Sequence, residues 1–574
     1  WILDIDHCHF IISCILHIAY CLLLFTFYFL LMMTKYIFIS GGVISGVGKG
    51  TITASLARLL ENHGYLVSPI KVDMYLNVDA GTIRPQEHGE VFVLNDGLEC
   101  DQDLGNYERF LNRSLSKDNY MTAGAVYFSV ITKERAFEYN GEDVETIPHV
   151  TNEIIERIEK AGQTSQADIV IVELGGTVGE YQNAVFFEAN RLMKMKQPES
   201  VLHLHVAYLI TPPTLGEMKT KPAQQSVKTL NSMGIQPDFI VTRSEHDLDS
   251  PRRHKLALFC NVNENEVISS PDINSIYKVP NVLSQQKLDL QILKKFKLKP
   301  KKNKSNQKIA KNWQKFIQNI ESSQKKPAIK IGIIGKYFRT GSFSLSDVYI
   351  SVIEAIKHAG WHFEKNIELV WIDAEEIEQG KTTQLTEING MIVPGGFGTR
   401  GIEGIIQAIR FARENNIPYL GLCYGMQLAT IEFARHVAGL QDANTTEINP
   451  RCKNPVIHIM PEQEKKLLAA EYGGTMRLGA YPAKIIKDTH AYQAYQQTKI
   501  LERHRHRFEF NNKYRKKLEK SGLIISGTSP DNHIVEIIEI KNHPFFVACQ
   551  FHPELTSRPL SPHPLFREFI KSCL

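Results

Sequence analysis

The chain has 574 residues, 43% of them hydrophobic and 22% charged, with a formal net charge of +4. That length calls for two large domains or three small ones, and the composition excludes a disordered or fibrous chain. Lys294–Lys326 holds twelve Lys and one Glu, which leaves the rest negative overall and argues against a nucleic-acid-binding surface, while nine unevenly spaced Cys argue for a reducing compartment and against a disulfide scaffold.

Phe10 to Met33 is nearly unbroken apolar sequence, long enough to span a bilayer, but no Lys or Arg precedes Lys35. The expectation is that residues 1–32 are a non-native apolar leader, with initiation at Met32 or Met33; a real anchor or a packed extension is the alternative. YIFIS (36–40) then reads as a buried strand leading into a glycine-rich loop and a helix over Thr51–His63. Val67–Val72, Asp168–Leu174, Val206–Thr211 and Phe239–Thr242 are further buried-strand candidates, alternating with helical stretches. This first domain spans 33–298. A Lys-rich linker, 299–328, carries a short amphipathic helix on Ile309, Trp313, Phe316, Ile317 and Ile320. The second domain, 329–574, repeats the rhythm. It reads as IKIGIIGKY, a helix Asp347–Ala359, a strand Glu368–Ile372, MIVPGG, a helix Ile402–Asn415 and IPYLGL, with last strands at Val535–Ile540 and Phe545–Phe551. The fold class is α/β, with two doubly wound parallel-sheet domains.

Two motifs carry chemistry. Gly41–Thr51 lies between the first strand and helix, where glycine N–H groups and the helix N-terminus can meet phosphate and Lys49 can reach its outer oxygens. It departs from a regular Walker A, because Val43 stands where Gly is expected and Gly50 replaces the Ser/Thr that would bind Mg²⁺. Carboxylates must then supply the metal, and Asp101, Asp103 and Glu173 are candidates. In the second domain, Gly421-Leu422-Cys423-Tyr424-Gly425 is a thiol nucleophile elbow between strand and helix. The Tyr424 N–H, with Gly395 or Gly396, can form an oxyanion hole, and His552, two residues before Glu554, is the candidate base. The Arg503–Arg507 run alternates Arg with His, which would repel a cation.

These strings together resemble the CTP synthase family over about Met33 to Leu574. GGVISGVGKG, KVDMYLNVDAGT, HGEVFVLNDG, DLGNYERF, VELGGTVGE, KTKPAQ, RFARENNIPYLGLCYGMQ, GGTMRLGA, ERHRHRFE and FVACQFHPE carry the resemblance. It implies an amidoligase domain joined to a class I glutamine amidotransferase domain. The implied reaction makes CTP from UTP, ATP and L-glutamine, with Mg²⁺ as cofactor, GTP as allosteric activator and CTP as feedback inhibitor. The implied form is a cytoplasmic homotetramer, sometimes stacked into filaments, with no nucleic-acid partner and no membrane unless the leader is real.

Residue by residue, the resemblance places ATP on Gly46, Val47, Gly48, Lys49, Gly50, Thr51, Asp103, Pro271, Asp272 and Ile273, with Lys71 near the transferring phosphate. It places Mg²⁺ on Asp103 and Glu173. UTP and CTP fall on Ser45, Glu180, Tyr181, Gln182, Lys219, Thr220, Lys221, Pro222, Ala223, Gln224 and Lys255. Glutamine falls on Gly396, Tyr424, Gly425, Met426, Gln427, Glu447 and Arg507, with Cys423, His552 and Glu554 performing its hydrolysis. The chain departs from the family pattern at Glu145, at Glu180-Tyr181-Gln182 and at Ala223-Gln224-Gln225, around the implied pyrimidine pocket, and Tyr424 replaces a usual Leu. Rival readings are another glutamine-dependent ligase, and a non-catalytic regulatory copy, which the intact Cys423, His552 and Glu554 oppose.

Overall fold

The computed structural model describes residues 34–301, 304–335, 339–340, 343–344, 346–460, 463, 465 and 473–574. The leader expectation lies outside them. The chain forms two compact units, each discontinuous in sequence. Residues up to Ile70, Lys133–Asn274 and Val279–Asn303 form the first, while Lys71–Thr132, Ser275–Lys278 and Lys304–Leu574 form the second.

The first unit is built on parallel strands. Lys35–Gly42 is buried along its whole length and lies between Ile169–Leu174 and Val201–Tyr208, with Phe239–Ser244 and Val267–Pro271 following outward. A strand paired on both edges and covered on both faces needs apolar residues throughout, which is why YIFIS was legible. The expected Val206–Thr211 strand is corrected: it runs Val201–Tyr208 and stops before Leu209. Its first half was hidden by His203 and His205, which are buried with both ring nitrogens hydrogen-bonded and Ser40 shared between them. Ser40 Oγ lies 2.7 Å from His203 Nε2 and 2.8 Å from His205 Nδ1, while Asn190 and Ser226 take the remaining ring nitrogens. Helices Lys49–Asn62, Thr151–Thr164, Ala184–Lys196, Lys221–Ser232 and Ser250–Cys260 complete the α/β alternation.

The second unit contains a nine-stranded sheet. Asn366–Asp373, Ala328–Gly335, Gly390–Val393, Tyr419–Leu422 and Phe546–Cys549 are parallel neighbours in that order. Val535–Ile540, Leu523–Thr528, Arg477–Ile485 and Lys499–His506 then extend it antiparallel. The expected helix Asp347–Ala359 is corrected to Ile350–His362, preceded by a tight turn over Ser346–Tyr349. The helix expected to be short is Lys304–Ser323, twenty residues, with Trp313, Phe316, Ile317 and Ile320 buried as the spacing required. Its lysines decorate the opposite side, where ammonium groups keep their hydration.

Candidate active sites

In the second unit the strand Tyr419–Leu422 gives way to the helix Tyr424–His436 within one residue. Cys423 makes that turn at φ 49°, ψ −96°, a strained backbone for a residue with a Cβ. Its N–H donates to the Cys549 carbonyl at 2.7 Å, and its carbonyl accepts from Met426 and Gln427 at 3.1 and 3.2 Å. The flanking glycines are steric requirements. A Cβ on Gly425 would lie 2.3 Å from the Val393 carbonyl oxygen, and one on Gly421 would lie 2.9 Å from Ala548 Cβ.

His552 is fixed by its own N–H, which donates to the Arg503 carbonyl at 2.8 Å, and by Nδ1, 2.7 Å from Glu554 Oε1. A carboxylate can only accept, so Nδ1 carries the proton and Nε2 faces the cysteine side without another hydrogen-bond partner. Burial works against the imidazolium, but the Glu554 carboxylate and the Cys423 sulfur outweigh it and hold His552 well above the ordinary histidine range. Cys423 is only 5% exposed, and Gln550 Nε2 donates to its sulfur at 3.6 Å.

Both side chains open on a cavity of about 390 Å³. Gly396, Gln427, Glu447 and Arg507, four of the residues expected at glutamine, line it. Arg507 donates to Gln463 and Thr475 at 2.8 and 3.0 Å, and Glu447 accepts from the Gly398 N–H at 3.0 Å. Arg507 and Glu447, a held cation and a held anion in the same cavity, suit the zwitterionic end of an amino acid. Tyr424, Gly425 and Met426 form the first turn of the helix, and the Met426 side chain is wholly in the core, so its backbone is what it could offer a ligand. Glu90 also lines the cavity; burial raises its carboxyl to about 7 despite hydrogen bonds from Ser351.

In the Arg-His run, Arg503, His504 and His506 are buried and Arg505 and Arg507 half-buried, so it is no surface patch. His504 and His506 are kept neutral by burial, reinforced by the Arg477 guanidinium, which donates toward both and pairs with Glu536 at 2.8 Å.

The phosphate loop belongs to the first unit. Gly46 and Gly48 adopt φ 69° and 93°, Gly48 immediately precedes the helix, and Lys49 Nζ donates to the Gly176 carbonyl at 2.7 Å. A Cβ on Gly42 would lie 2.5 Å from Ser226, so the helix Lys221–Ser232, which contains Ala223 and Gln224, packs directly beneath the loop. His205 joins them, donating or accepting at Ser226 Oγ at 2.9 Å, and burial drives its pKa down to about 3. Glu173 is buried near the end of its strand. Glu180 is used locally, accepting from Thr177 N and Oγ1 at 2.6 and 2.7 Å and from Gln182 Nε2 at 3.2 Å. Tyr181 is 98% exposed, Ser45, Lys221 and Lys255 are exposed, and Lys219 pairs with Glu217 at 2.7 Å beside Thr220 and Pro222.

Sequence reasoning missed Arg243. A Cβ on Gly48 would lie 3.2 Å from its Nε, and its guanidinium donates to Asp272 Oδ1 at 2.8 Å and to the Ser270 and Pro271 carbonyls. It thereby joins the phosphate loop to the Pro271–Ile273 stretch expected at adenine. A lone Arg ending an apolar strand was the available signal.

Lys71, in the second unit, pairs with Asp103 and lies 3.8 Å from Asp101 and 3.9 Å from Asp73. Asp101 also accepts from the Asp103 N–H at 2.8 Å and lies 3.1 Å from His88 Nδ1. Burial raises Asp73 to about 6 despite Lys71, whereas Lys71 and His88 overcome burial at Asp101 and hold it at about 2. Burial also raises Asp103. Three carboxylates around one ammonium leave excess negative charge, and ligand atoms of Asp73, His88 and Asp101 lie within 4.8 Å of one another, a group that could hold a cation. Among the described residues, no helix is long and apolar enough to cross a membrane.

Residues 35–298 match the family model of the CTP synthase N-terminus, and residues 344–572 match class I glutamine amidotransferase. The chain is 50% identical to the CTP synthase of Caldanaerobacter subterraneus subsp. tengcongensis over 544 residues, covering 94% of this chain and 98% of the relative. It is also 50% identical to that of Carboxydothermus hydrogenoformans, covering 94% and 99%. The solved glutaminase domain of Trypanosoma brucei CTPS with bound acivicin is 36% identical, covering 43% of this chain and 93% of that one, with a TM-score of 0.40.

Proposed function

The chain belongs to the CTP synthase family, glutamine-hydrolysing carbon–nitrogen ligases of pyrimidine biosynthesis, and we propose that it aminates UTP to CTP at the expense of ATP, using ammonia released from glutamine or supplied free. The observation that carries the reading is Cys423 at a strained elbow, sharing one cavity with a His552–Glu554 pair and the opposed charges of Glu447 and Arg507. The Cys423 sulfur attacks the glutamine carboxamide while His552 Nε2 takes the thiol proton and gives it to the leaving nitrogen; ammonia departs, and water then cleaves the thioester to free glutamate and the thiol. The N–H groups of Tyr424 and the Gly395–Gly396 turn receive the oxyanion. Glu554 keeps the Nδ1 proton in place, so that Nε2 is the working atom.

At the other centre, Lys49 and the Gly46–Thr51 backbone hold ATP phosphates and Arg243 adds a charge near Gly48, while Lys71 is assigned to the transferring phosphate on family grounds. The UTP 4-oxygen is phosphorylated, and ammonia displaces phosphate from that carbon. Asp103 and Glu173 would hold Mg²⁺, which neutralises phosphate charge when bound. Activation by GTP, inhibition by CTP, a homotetramer that can extend into filaments, and a cytoplasmic location complete the proposal on family grounds.

The test is product analysis with UTP, ATP, Mg²⁺ and either glutamine or an ammonium salt. Cys423→Ala should abolish glutamine-dependent CTP formation and keep ammonia-dependent synthesis near the parent rate. Loss of both activities would overturn the division of labour.

A further inference from the structure

Glu99 and Asp101 stand two residues apart on the strand Glu99–Asp101, so their side chains leave the same face. Asp101 belongs to the Lys71 cluster, whereas Glu99 Oε1 accepts from Arg505 Nε at 2.8 Å. The next element repeats the pattern. In the helix Asp103–Leu111, Asp103 pairs with Lys71, while Glu108 takes Arg503 Nη2 on both oxygens at 2.9 and 3.0 Å, with further contacts from Leu115 N and Arg558. The backbone between those two arginines serves the glutamine cavity. The Arg503 carbonyl accepts from the His552 N–H at 2.8 Å, and the Arg505 carbonyl lies 3.8 Å from Cys423 Sγ.

Glu99 is 1% exposed, and its second oxygen, Oε2, is buried with no hydrogen-bond partner. A half-satisfied buried carboxylate is an expensive arrangement. A rotation of the carboxylate would set both oxygens against the Arg505 fork, the two-pronged arrangement a guanidinium favours. A Cβ on Gly81 would lie 2.1 Å from Oε2, so the Gly81 backbone covers that oxygen, and Gly81 itself lines the cavity.

We propose that Glu99 is a positioning residue through which occupancy of the Lys71–Asp101–Asp103 cluster, by nucleotide phosphate and its cation, sets the rate at which Cys423 hydrolyses glutamine. Ligand that draws Asp101 and Asp103 shifts Glu99 and Glu108 with them, because only one or a few peptide units intervene. Arg505 and Arg503 follow, and their carbonyls re-aim the cysteine and histidine. The proposal rests on reading that cluster as part of the nucleotide site.

The experiment measures glutamate release from glutamine with and without ATP, UTP and Mg²⁺, in the full chain and in Glu99→Gln, alongside CTP formation from ammonium. The ratio of nucleotide-stimulated to basal hydrolysis should fall by about five-fold or more in Glu99→Gln, with ammonia-dependent synthesis retained. Arg505→Lys, which keeps the charge but loses the fork, should lower the same ratio. An unchanged ratio in both variants, no stimulation in the parent chain, or parallel loss of ammonia-dependent synthesis would each overturn the proposal. Lys71→Ala separates the two readings: if it still makes CTP from ammonium, the nucleotide reading of the cluster fails, whatever Glu99→Gln does to the ratio.

Discussion

Replacing Gly395 by Ala tests whether His552 must sit where it does. Neither Gly395 nor Gly396 has a positive φ, so alanine is free of backbone strain at both. The new Cβ at 395 would lie 2.7 Å from His552 Cε1, against a normal carbon–carbon contact of about 3.5 Å. Something must yield by most of an ångström. His552 is tied by Glu554 at Nδ1 and by the Arg503 carbonyl at its own N–H, so its ring tilts rather than withdraws, and Nε2 leaves its line to Cys423. Misplacement of this size costs on the order of a hundred-fold in rate, or about 2.7 kcal/mol in the barrier. Glutamine-dependent CTP formation should therefore drop about a hundred-fold in kcat, with ammonia-dependent synthesis kept within about two-fold. Gly396→Ala is the matched control. Its Cβ would meet nothing closer than Tyr424 Cδ1 at 3.8 Å, so kcat should hold and any effect should fall on the glutamine KM. Equal kcat for parent and Gly395→Ala would show that His552 is not the working base in this geometry.

Lys49→Ala should remove CTP formation from either nitrogen source while glutamine hydrolysis without nucleotide persists, as read by CTP and glutamate release in parallel. Gln182→Glu should tighten CTP inhibition relative to UTP saturation several-fold, because a charged acceptor for the cytosine amine replaces a neutral one at about 1 kcal/mol; an unchanged ratio of inhibition to half-saturation constants would remove that argument. Acid should destabilise the fold through its buried imidazoles. Burial takes His205 and His358 to about 3, below their unfolded value, so their contribution is complete above the unfolded pKa and is lost as pH falls toward 3. Each then costs about 2 kcal/mol between pH 6.5 and 5, partly offset by Asp73 and Glu90, whose raised pKa values work in the opposite direction. Urea titrations at both pH values should show a shallower acid loss for His358→Gln than for the parent chain.

The sequence by itself determined the reactive centres that a local stretch of chain can build. The glycine-rich turn before Lys49 and the elbow at Cys423 each need small residues at fixed spacing around one strand-to-helix junction, and that requirement is written in consecutive residues. The His552–Glu554 pair was legible for the same reason, lying two residues apart. Apolar runs identified the parallel strands because a strand covered on both faces tolerates little else. Where burial was achieved by pairing polar groups, the same reading failed. His203 and His205 concealed half a strand, and Arg477–Ile485 and Lys499–His506, which carry the buried Arg477, Arg503 and His504, were not read as strands at all. Tertiary structure alone decided which charge met which. Lys71 meets Asp103 across 32 residues, Arg243 meets Asp272 across 29, and Arg503 meets Glu108 across 395. An ion pair between distant segments leaves no period in either one. Its partners are chosen by where the backbone carries them, and the penalty for a buried charge without its counterpart then holds them together.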